Sequence, residues 1–381
     1  AIERLVNDDI NELDYILSVD IFSEGVDVPE INQVIMLRPT QSPIVFIQQL
    51  GRGLRKAEDK EYVVILDFIG NYKNNFMIPI ALSGDRSYNK DNVRKYVVSG
   101  NSLIPGASTI HFDEISKERI FNAVDNLKSM KALIKESYIS LKNRLGRIPR
   151  LVDFYENEEI DPMIIIREYK TYYAMLKAVE KKQEIEELSD SETLILEYLS
   201  KTILSGVRPQ ELELLKMLLE YNEVSIEEFQ EDVSAEFGYL LDMDAIQNTI
   251  RILQGHFHIN SAEHQKYAQI DILKVNKNKR IQRLNSFVSK LNESEFRKEL
   301  NDIISFGLHR YKDKYNQNKN QGVPFVLYEQ YSRRDVCFLM NCEKDLSSVM
   351  YGMKRIKDDV FIFVTYHKKQ TKDIRKKYVD G

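Results

Sequence analysis

Apolar positions along this chain change their period, and each change predicts a different kind of element. Near the N-terminus, Tyr15-Ile16-Leu17-Ser18-Val19, Val34-Ile35-Met36-Leu37 and Tyr62-Val63-Val64-Ile65-Leu66 are short apolar runs bounded by polar residues. That is the pattern of strands buried in a parallel sheet. Between the second and third runs, Ile44, Phe46, Ile47, Leu50 and Leu54 are spaced for one helical face, which predicts a crossover helix from Ile44 to Leu54 in a β-α-β connection. Connections of this kind aim their loops at the ligand edge of the sheet. After Asn71 the punctuation by Pro79, Gly84, Gly100, Pro105 and Gly106 reads as a linker over residues 81–115.

From Ser116 the period becomes helical. Ser116 is placed to cap, and Ile120, Val124, Leu127, Met130, Leu133 and Ile134 recur at helical spacing. A helical accessory domain is expected over residues 116–182, with a turn at Gly146–Arg150 and a further helix that has Pro162 at its first position. A Glu-rich break, Lys181 to Glu187, leads into a unit over residues 190–275. Its helices are opened by Arg208-Pro209, Ser225 and Met243, and strand-like His256–Ile259 and Ala268–Leu273 come after them. Three helices and a hairpin outline a winged helix, a module often used to dock a helix in the DNA major groove. Its third helix carries only Arg251 as a base-reading cation, so a protein contact or a purely structural wing is equally open. Over residues 276–381, a helix around Phe296 to Lys312, a strand at Val323–Leu327, a helix capped by Ser332 and a strand at Val360–Val364 make a small α+β unit.

Composition narrows the classes. With 381 residues, 43% hydrophobic and 30% charged, the chain can bury more than one core, and two to four domains are expected. A net charge of -5 excludes a surface that is basic throughout, so any nucleic-acid contact must be a local patch. One candidate patch is Arg144, Arg147 and Arg150 at the turn, with Tyr169, Lys170, Tyr172 and Tyr173 after it. These can hold phosphates and stack bases, or the tyrosines can pack a helical core beneath a solvated arginine rim. The other is the C-terminal run Lys368, Lys369, Lys372, Arg375, Lys376 and Lys377, either a phosphate contact or a solvated tail.

Cys337 and Cys342 are the only cysteines, at a spacing that suits neither a zinc knuckle nor a redox pair, and they read as reduced thiols of a cytosolic protein. His256, His258 and His264 could hold zinc, but no cysteine or carboxylate is placed to complete the shell; a polar strand face is the plainer reading, and no metal site is assigned. No apolar run reaches the length of a membrane span and no signal-peptide layout is present, so a cytoplasmic protein with no membrane partner is expected.

The densest chemistry lies in Gln48-Gln49-Leu50-Gly51-Arg52-Gly53-Leu54-Arg55. Arg52 and Arg55 are three residues apart, so on a helix both guanidinium forks leave one face and can converge on a phosphate group. The pattern Gln-x-x-Gly-Arg-x-x-Arg resembles motif VI of superfamily-two helicases, and Ser18-Val19-Asp20-Ile21-Phe22-Ser23-Glu24-Gly25-Val26-Asp27-Val28-Pro29 resembles their motif V. Leu37-Arg38-Pro39-Thr40-Gln41-Ser42-Pro43 is similar to the linker of bacterial restriction-type DEAD/DEAH helicases. Leu145 to Pro149 and Tyr331 to Val336 are similar to the uncharacterised region that comes after that core.

The resemblance implies that residues 1–80 are the C-terminal half of RecA-like lobe two. The implied fold class is a partial RecA-like α/β parallel sheet, then mainly α-helical domains and a small α+β unit, truncated near its end. In the family's mechanism, Arg52 and Arg55 would stabilise charge on the transferring γ-phosphoryl group, Gln48 would order that site, and Gly51 is the hinge before the arginines. Asp27 would bind the ribose or Arg52, and Gly25 would let its loop approach closely. Phe22, Ser23, Arg38 and Thr40 would grip a nucleic-acid strand, with Arg147 and Arg150 as further contacts. Glu24 departs from the DEAD-box type, where arginine is common.

No Gly-x-x-x-x-Gly-Lys-Ser/Thr loop is present. Gly100 to Gly106 has the wrong spacing, and Asp113-Glu114 imitates a Walker-B pair without a preceding apolar strand. ATP and magnesium would therefore be bound mainly by a first RecA-like lobe that this chain lacks, leaving it inactive alone. The implied partners are that lobe, nucleic acid (DNA is expected) and a fused or recruited nuclease. The alternative is a DNA-binding or partner-docking module of a restriction or defence protein.

Overall fold

Strands β1 (Gln33–Met36) and β2 (Val64–Asp67) pair in parallel, with Gln33 opposite Val64 and Met36 opposite Asp67. The computed structural model to which they belong describes residues 4–5, 13–17, 28–37, 46, 50, 57, 60–68, 77–83, 90–99, 109–125, 129–157, 159–180, 185–258, 260–316, 324–326, 329, 331–349 and 352–363. A small parallel sheet at the N-terminus, a mostly helical body and small antiparallel sheets toward the C-terminus make up the architecture. The chain divides into two units, Ala1–Pro149 with Asp153–Ile164, and Arg150–Val152 with Ile165–Gly381.

In the first unit, Val34, Met36 and Ile65 share a core with Phe46 and Leu50. Ile35, Leu37, Leu66 and Phe68 face the other way and are exposed. Among the described residues the strands are covered on one face, where the continuous apolar runs suggest burial on both. Tyr15–Leu17, expected in a strand, lies in none, and Tyr15 and Leu17 are exposed.

The passage expected as a linker carries core instead. Helices α1 (Met77–Ser83), α2 (Lys90–Ser99) and α3 (Glu114–Asp125) supply Ile78, Ile80, Val93, Tyr96, Val97, Ile120 and Val124 to the same cluster. Pro79 sits in the first turn of α1, where a missing N–H costs no intrahelical bond. Asp113 starts α3: its carboxylate accepts the Ser116 amide and hydroxyl, both at 2.8 Å, and those bonds hold it below the usual carboxylate range. The Walker-like acidic pair is therefore a helix start.

Ser129 caps α4 (Met130–Leu145), which buries Ile134, Tyr138 and Leu141 and ends at Gly146 with φ 67°. That left-handed cap is the reason for glycine there. The division between the units then runs through α5 (Leu151–Glu156) and α6 (Pro162–Tyr169), the latter with proline at its first position.

The second unit begins with α7 (Tyr172–Val179) and α8 (Asp190–Thr202). Then come α9 (Gln210–Glu220), β3 (Glu223–Val224), α10 (Ile226–Phe237), α11 (Met243–Leu253) and α12 (Ser261–Tyr267). Strands β4 (Leu273–Val275) and β5 (Ile281–Arg283) form a hairpin, and β5 takes the centre of an antiparallel sheet ordered β3-β5-β4. Three helices lie between β3 and the hairpin, one more than the helix, strand, two helices and hairpin of a winged helix. The hairpin lies later than the sequence pattern predicts: residues 256–258 are irregular, α12 intervenes, and the unit runs past residue 275.

After α13 (Asn285–Lys290), α14 (Ser294–Arg310) packs on α8 and α9 and passes into a π-helical turn at Tyr311–Tyr315. Close approach is set by two glycines. A Cβ on Gly206, at φ 63°, would strike the Gly307 carbonyl oxygen, and one on Gly307 would meet Leu212 Cδ1 at 2.6 Å. Helix α15 (Arg333–Leu339), capped by Ser332 and Asp335 in a reciprocal box, leads to hairpin strands β6 (Met353–Ile356) and β7 (Asp359–Ile362). Val326 is buried as the apolar run around it suggests, while Val323 and Leu327 lie outside the described residues.

One buried cation joins these pieces. Arg208, 7% exposed, pairs with Glu211 through Nη2 and through Nε at 3.1 Å. It also donates to Asn248 Oδ1 at 2.9 Å, to the Phe338 carbonyl at 2.5 Å and to Asn341 Oδ1 at 2.6 Å. Arg208→Met should destabilise the second unit by about 3–5 kcal/mol in urea unfolding, because Glu211 would stay buried without its cation. Adding Glu211→Leu should recover much of that loss.

Helix α14 also buries Glu295, Glu299 and Asp302. Asp302 accepts the Leu151 amide at 3.2 and 3.0 Å, at the start of α5. Burial first, then the neighbouring Asp302 and Glu295, hold the Glu299 carboxyl well above its ordinary range against the Tyr173 amide. A raised folded pKa means that the folded state keeps a proton the unfolded chain releases above about pH 4.3, so stability falls as pH rises through that window. Glu299→Gln should therefore raise the melting temperature at pH 8, by roughly 2–4 °C per kcal/mol gained, and lose its advantage below about pH 4. Thermal unfolding at the two pH values checks both halves.

Candidate nucleotide and nucleic-acid site

Gly25, Asp27, Gln48, Gly51, Arg52 and Arg55, and with them Phe22, Ser23, Arg38 and Thr40, lie outside the described residues. The framework beside them in sequence is described. Val28, directly after Asp27, is 5% exposed, and its carbonyl accepts the Ile31 amide at 3.4 Å. Lys60 Nζ donates to the Pro29 carbonyl at 2.9 Å, which ties the end of the first motif to the approach to β2. Burial holds that ammonium below its ordinary pKa, with Glu30 opposing. Strand β1 ends just before Leu37-Arg38.

Phe46 and Leu50 bracket Gln48 in sequence. Both are helical, four residues apart, and 4% and 9% exposed in the core of the first unit. Each such side chain contributes about 1.5–3 kcal/mol on burial. Two residues of this segment thereby take the helical, core-facing positions that the apolar spacing predicts.

The turn after α4 is occupied by ion pairs within the protein. Arg147 makes a two-pronged pair with Asp153, at 2.6 and 2.7 Å, and donates to the Ile148 carbonyl at 3.1 Å. Arg144 meets Glu159 at 3.1 Å, and Glu159 also accepts from Ser137 at 2.9 Å. These forks hold the turn onto the residues after it. In the second unit, Arg150 is exposed, but Tyr172 and Tyr173 are 3% and 6% exposed and offer no open face to a base. The Tyr173 hydroxyl donates to the Glu186 carbonyl at 3.1 Å and accepts the Leu188 amide at 3.0 Å. The core reading holds for both rings.

Helix α11, the expected third helix of the unit, is tied to later residues at several points and exposes Met243, Gln247 and, as its one cation, Arg251. Asn248 donates to the Cys342 carbonyl at 2.8 Å, Asp244 pairs with Lys357 at 2.6 Å, and Arg251 lies 3.8 Å from Glu343. The imidazoles of His258 and His264 are in contact, ring centres 4.5 Å apart. Among the described residues no group of three or more His, Cys, Asp or Glu side chains is arranged to hold a metal ion, and no described helix is long and apolar enough to cross a membrane. Cys337 and Cys342 are buried and not joined in a disulfide.

The hairpin turn between β4 and β5, where Lys274, Lys277 and Lys279 are exposed, is a basic feature that sequence reasoning missed. Its signal is the alternation of Asn and Lys from Asn276 to Lys279, a pattern that reads equally well as a plain loop.

Residues 2–57 match the family described as "Helicase conserved C-terminal domain". The N-terminal segment is thus similar to that helicase domain. Residues 134–316 match a domain of unknown function (DUF8090), and residues 325–381 match another (DUF3427). The chain is 38% identical over 76 residues to "Putative ATP-dependent helicase IRC3" of Saccharomyces cerevisiae, covering 20% of this chain and 11% of that protein. It is 38% identical over 65 residues to "Putative ATP-dependent RNA helicase MJ1505" of Methanocaldococcus jannaschii, covering 17% and 8%. A Sulfolobus islandicus filamentous virus protein, "Putative helicase 22", is 35% identical over 71 residues, covering 19% and 12%. The chain thus spans about a tenth of the length of the curated relatives it matches.

In the turn after α4, within the segment that matches DUF8090, the Arg147–Asp153 pair separates two roles by experiment. If the pair only fastens the turn, Arg147→Gln and Asp153→Asn should each cost at most about 1 kcal/mol, as expected of a half-exposed ion pair. Both should then leave DNA affinity, read by fluorescence anisotropy, unchanged. A phosphate-binding role for Arg147 would instead weaken DNA only in Arg147→Gln.

Proposed function

We propose that this chain is the C-terminal portion of an ATP-dependent nucleic-acid helicase or translocase, with DNA the expected strand. The observation that carries the reading is the helicase match over residues 2–57 on a segment that also holds Gln48, Gly51, Arg52 and Arg55 in the spacing of a phosphate-facing motif. The buried Phe46 and Leu50 support it, because they flank Gln48 in sequence and share a core with the parallel sheet.

In this reading Arg52 and Arg55 stabilise negative charge as the γ-phosphoryl group of ATP is transferred to water. Gln48 orders the reacting groups and Gly51 lets the chain turn into the arginines. Asp27 takes the ribose or orients Arg52, and Gly25 permits close approach of the backbone. Phe22, Ser23, Arg38 and Thr40 hold a phosphodiester strand, joined by the exposed Arg150. The phosphate loop and the magnesium ligands would come from another RecA-like lobe of the same protein; none of these residues binds the metal. Closure of two lobes on ATP and their opening after hydrolysis would move the strand.

Preorganised arginines of this kind are worth about a thousandfold or more in rate. The test is ATP hydrolysis by the intact protein, with and without single-stranded and duplex DNA, beside the Arg52→Ala/Arg55→Ala variant. DNA-stimulated turnover that falls about a thousandfold or more in the variant, with DNA affinity kept, is the expected result. A folded double variant that hydrolyses ATP normally would refute the assignment.

A further inference from the structure

The β4–β5 hairpin is a small, stiff turn that concentrates positive charge on a chain whose net charge is -5. Its shape is set by Asn276. The Asn276 side-chain oxygen accepts the amides of Asn278 at 2.9 Å and Arg280 at 3.0 Å, and its amide donates to Glu223 at 3.2 Å. The Asn276 backbone N–H reaches the Arg280 carbonyl at 2.9 Å, and the Lys279 N–H reaches the Asn276 carbonyl at 3.0 Å. Lys279 takes a left-handed φ of 58° to close the loop.

Two carboxylates beside this turn are already committed. Arg280 holds Glu223 at 2.8 Å and Glu228 at 3.1 Å. Lys274, Lys277 and Lys279 are exposed and have no carboxylate partner among the described residues. Elsewhere in the same unit Lys201, Lys216, Lys266, Lys298 and Lys312 each sit against a carboxylate. The wing therefore presents three uncompensated ammonium groups, with the Asn278 amide between two of them, on a loop that need not reorganise to bind.

We infer that the β4–β5 wing, through Lys274, Lys277 and Lys279, is a docking surface for the phosphodiester backbone of a nucleic acid, and that the unit binds by this wing and not by its third helix. Helix α11 is held against Cys342, Glu343 and Lys357, whereas the wing tip is open. Lysine point charges neutralise phosphates without reading bases, so the contact is sequence-independent, as a translocating protein requires. The inference deepens the helicase reading and rests on it for the partner.

The experiment uses this full chain and fluorescence anisotropy with labelled single-stranded DNA, duplex DNA and RNA across a salt series. Lys274→Gln/Lys277→Gln/Lys279→Gln should weaken binding and reduce the slope of log K against log salt by up to about 2.7 on duplex DNA, or about 2.1 on a single strand. The Lys→Arg triple should keep both affinity and slope, and Arg251→Ala should change neither. Thermal melting of the glutamine variant should match that of the unaltered chain, since the three side chains make no described contact. Equal affinity and slope in the glutamine triple and the unaltered chain would overturn the wing assignment and leave the motor reading standing. No binding by the unaltered chain would overturn the wing and, if the intact protein's ATPase also ignores nucleic acid, the motor reading with it. Loss of binding on only one of the three probes would support the wing and name its strand.

Discussion

The second unit is organised around the guanidinium of Arg208. Its five-donor fork reaches a carboxylate on α9, an amide on α11 and two acceptors at the end of α15, so elements distant in sequence converge on one cation. A charge that deep is tolerated only when its donors are met, and the geometry is correspondingly restrictive. Asn248 extends that restriction to a whole helix. The residue accepts from Arg208 and passes its own amide to the Cys342 carbonyl, which fastens α11 to the segment beyond α15. The helix is thereby fastened along one side, while its exposed side carries Arg251 as its one cation.

Helix α14 meets the same problem with the opposite sign. It buries three carboxylates along one side while Phe296, Leu300 and Ile303 fill the adjoining apolar side. Asp302 accounts for its burial by accepting at the start of α5. Glu299 has the Tyr173 amide but also two like-charged neighbours and deep burial, which is why it favours the protonated form. Gly206 and Gly307 let the other side of α14 come close to Leu212 and to the turn before α9.

Much of this is legible in the sequence where a local signal is chemically strong. Ser225 and Ser332 cap the helices they are expected to open, Pro162 stands at a first helical position, and Phe46 and Leu50 occupy the apolar face that their spacing implies. Weak signals fail in intelligible ways. The wing strands are three residues long, too short for a period of two to show, and longer apolar runs nearby draw the expected hairpin upstream. Val93, Tyr96 and Val97 are hidden among glycines and prolines that mark element ends and not an absence of core. Arg147 looks available because its partner, Asp153, is placed by a turn that only the folded chain creates. The residues proposed for phosphate chemistry are legible as a motif and lie outside the described residues, so their support comes from the neighbours that anchor their segment and from the helicase match.

The half-covered sheet of the first unit gives this protein two surfaces with opposite responses to solvent. Ile35, Leu37, Leu66 and Phe68 expose hydrocarbon, whose tendency to leave water grows in sulfate and phosphate buffers. The lysines of the wing lose attraction for polyanions as counterions accumulate. Ionic composition therefore acts in opposite senses on the two: sulfate strengthens the tendency of that hydrocarbon to leave water, and dilute buffers strengthen the pull of those lysines on any nearby anion.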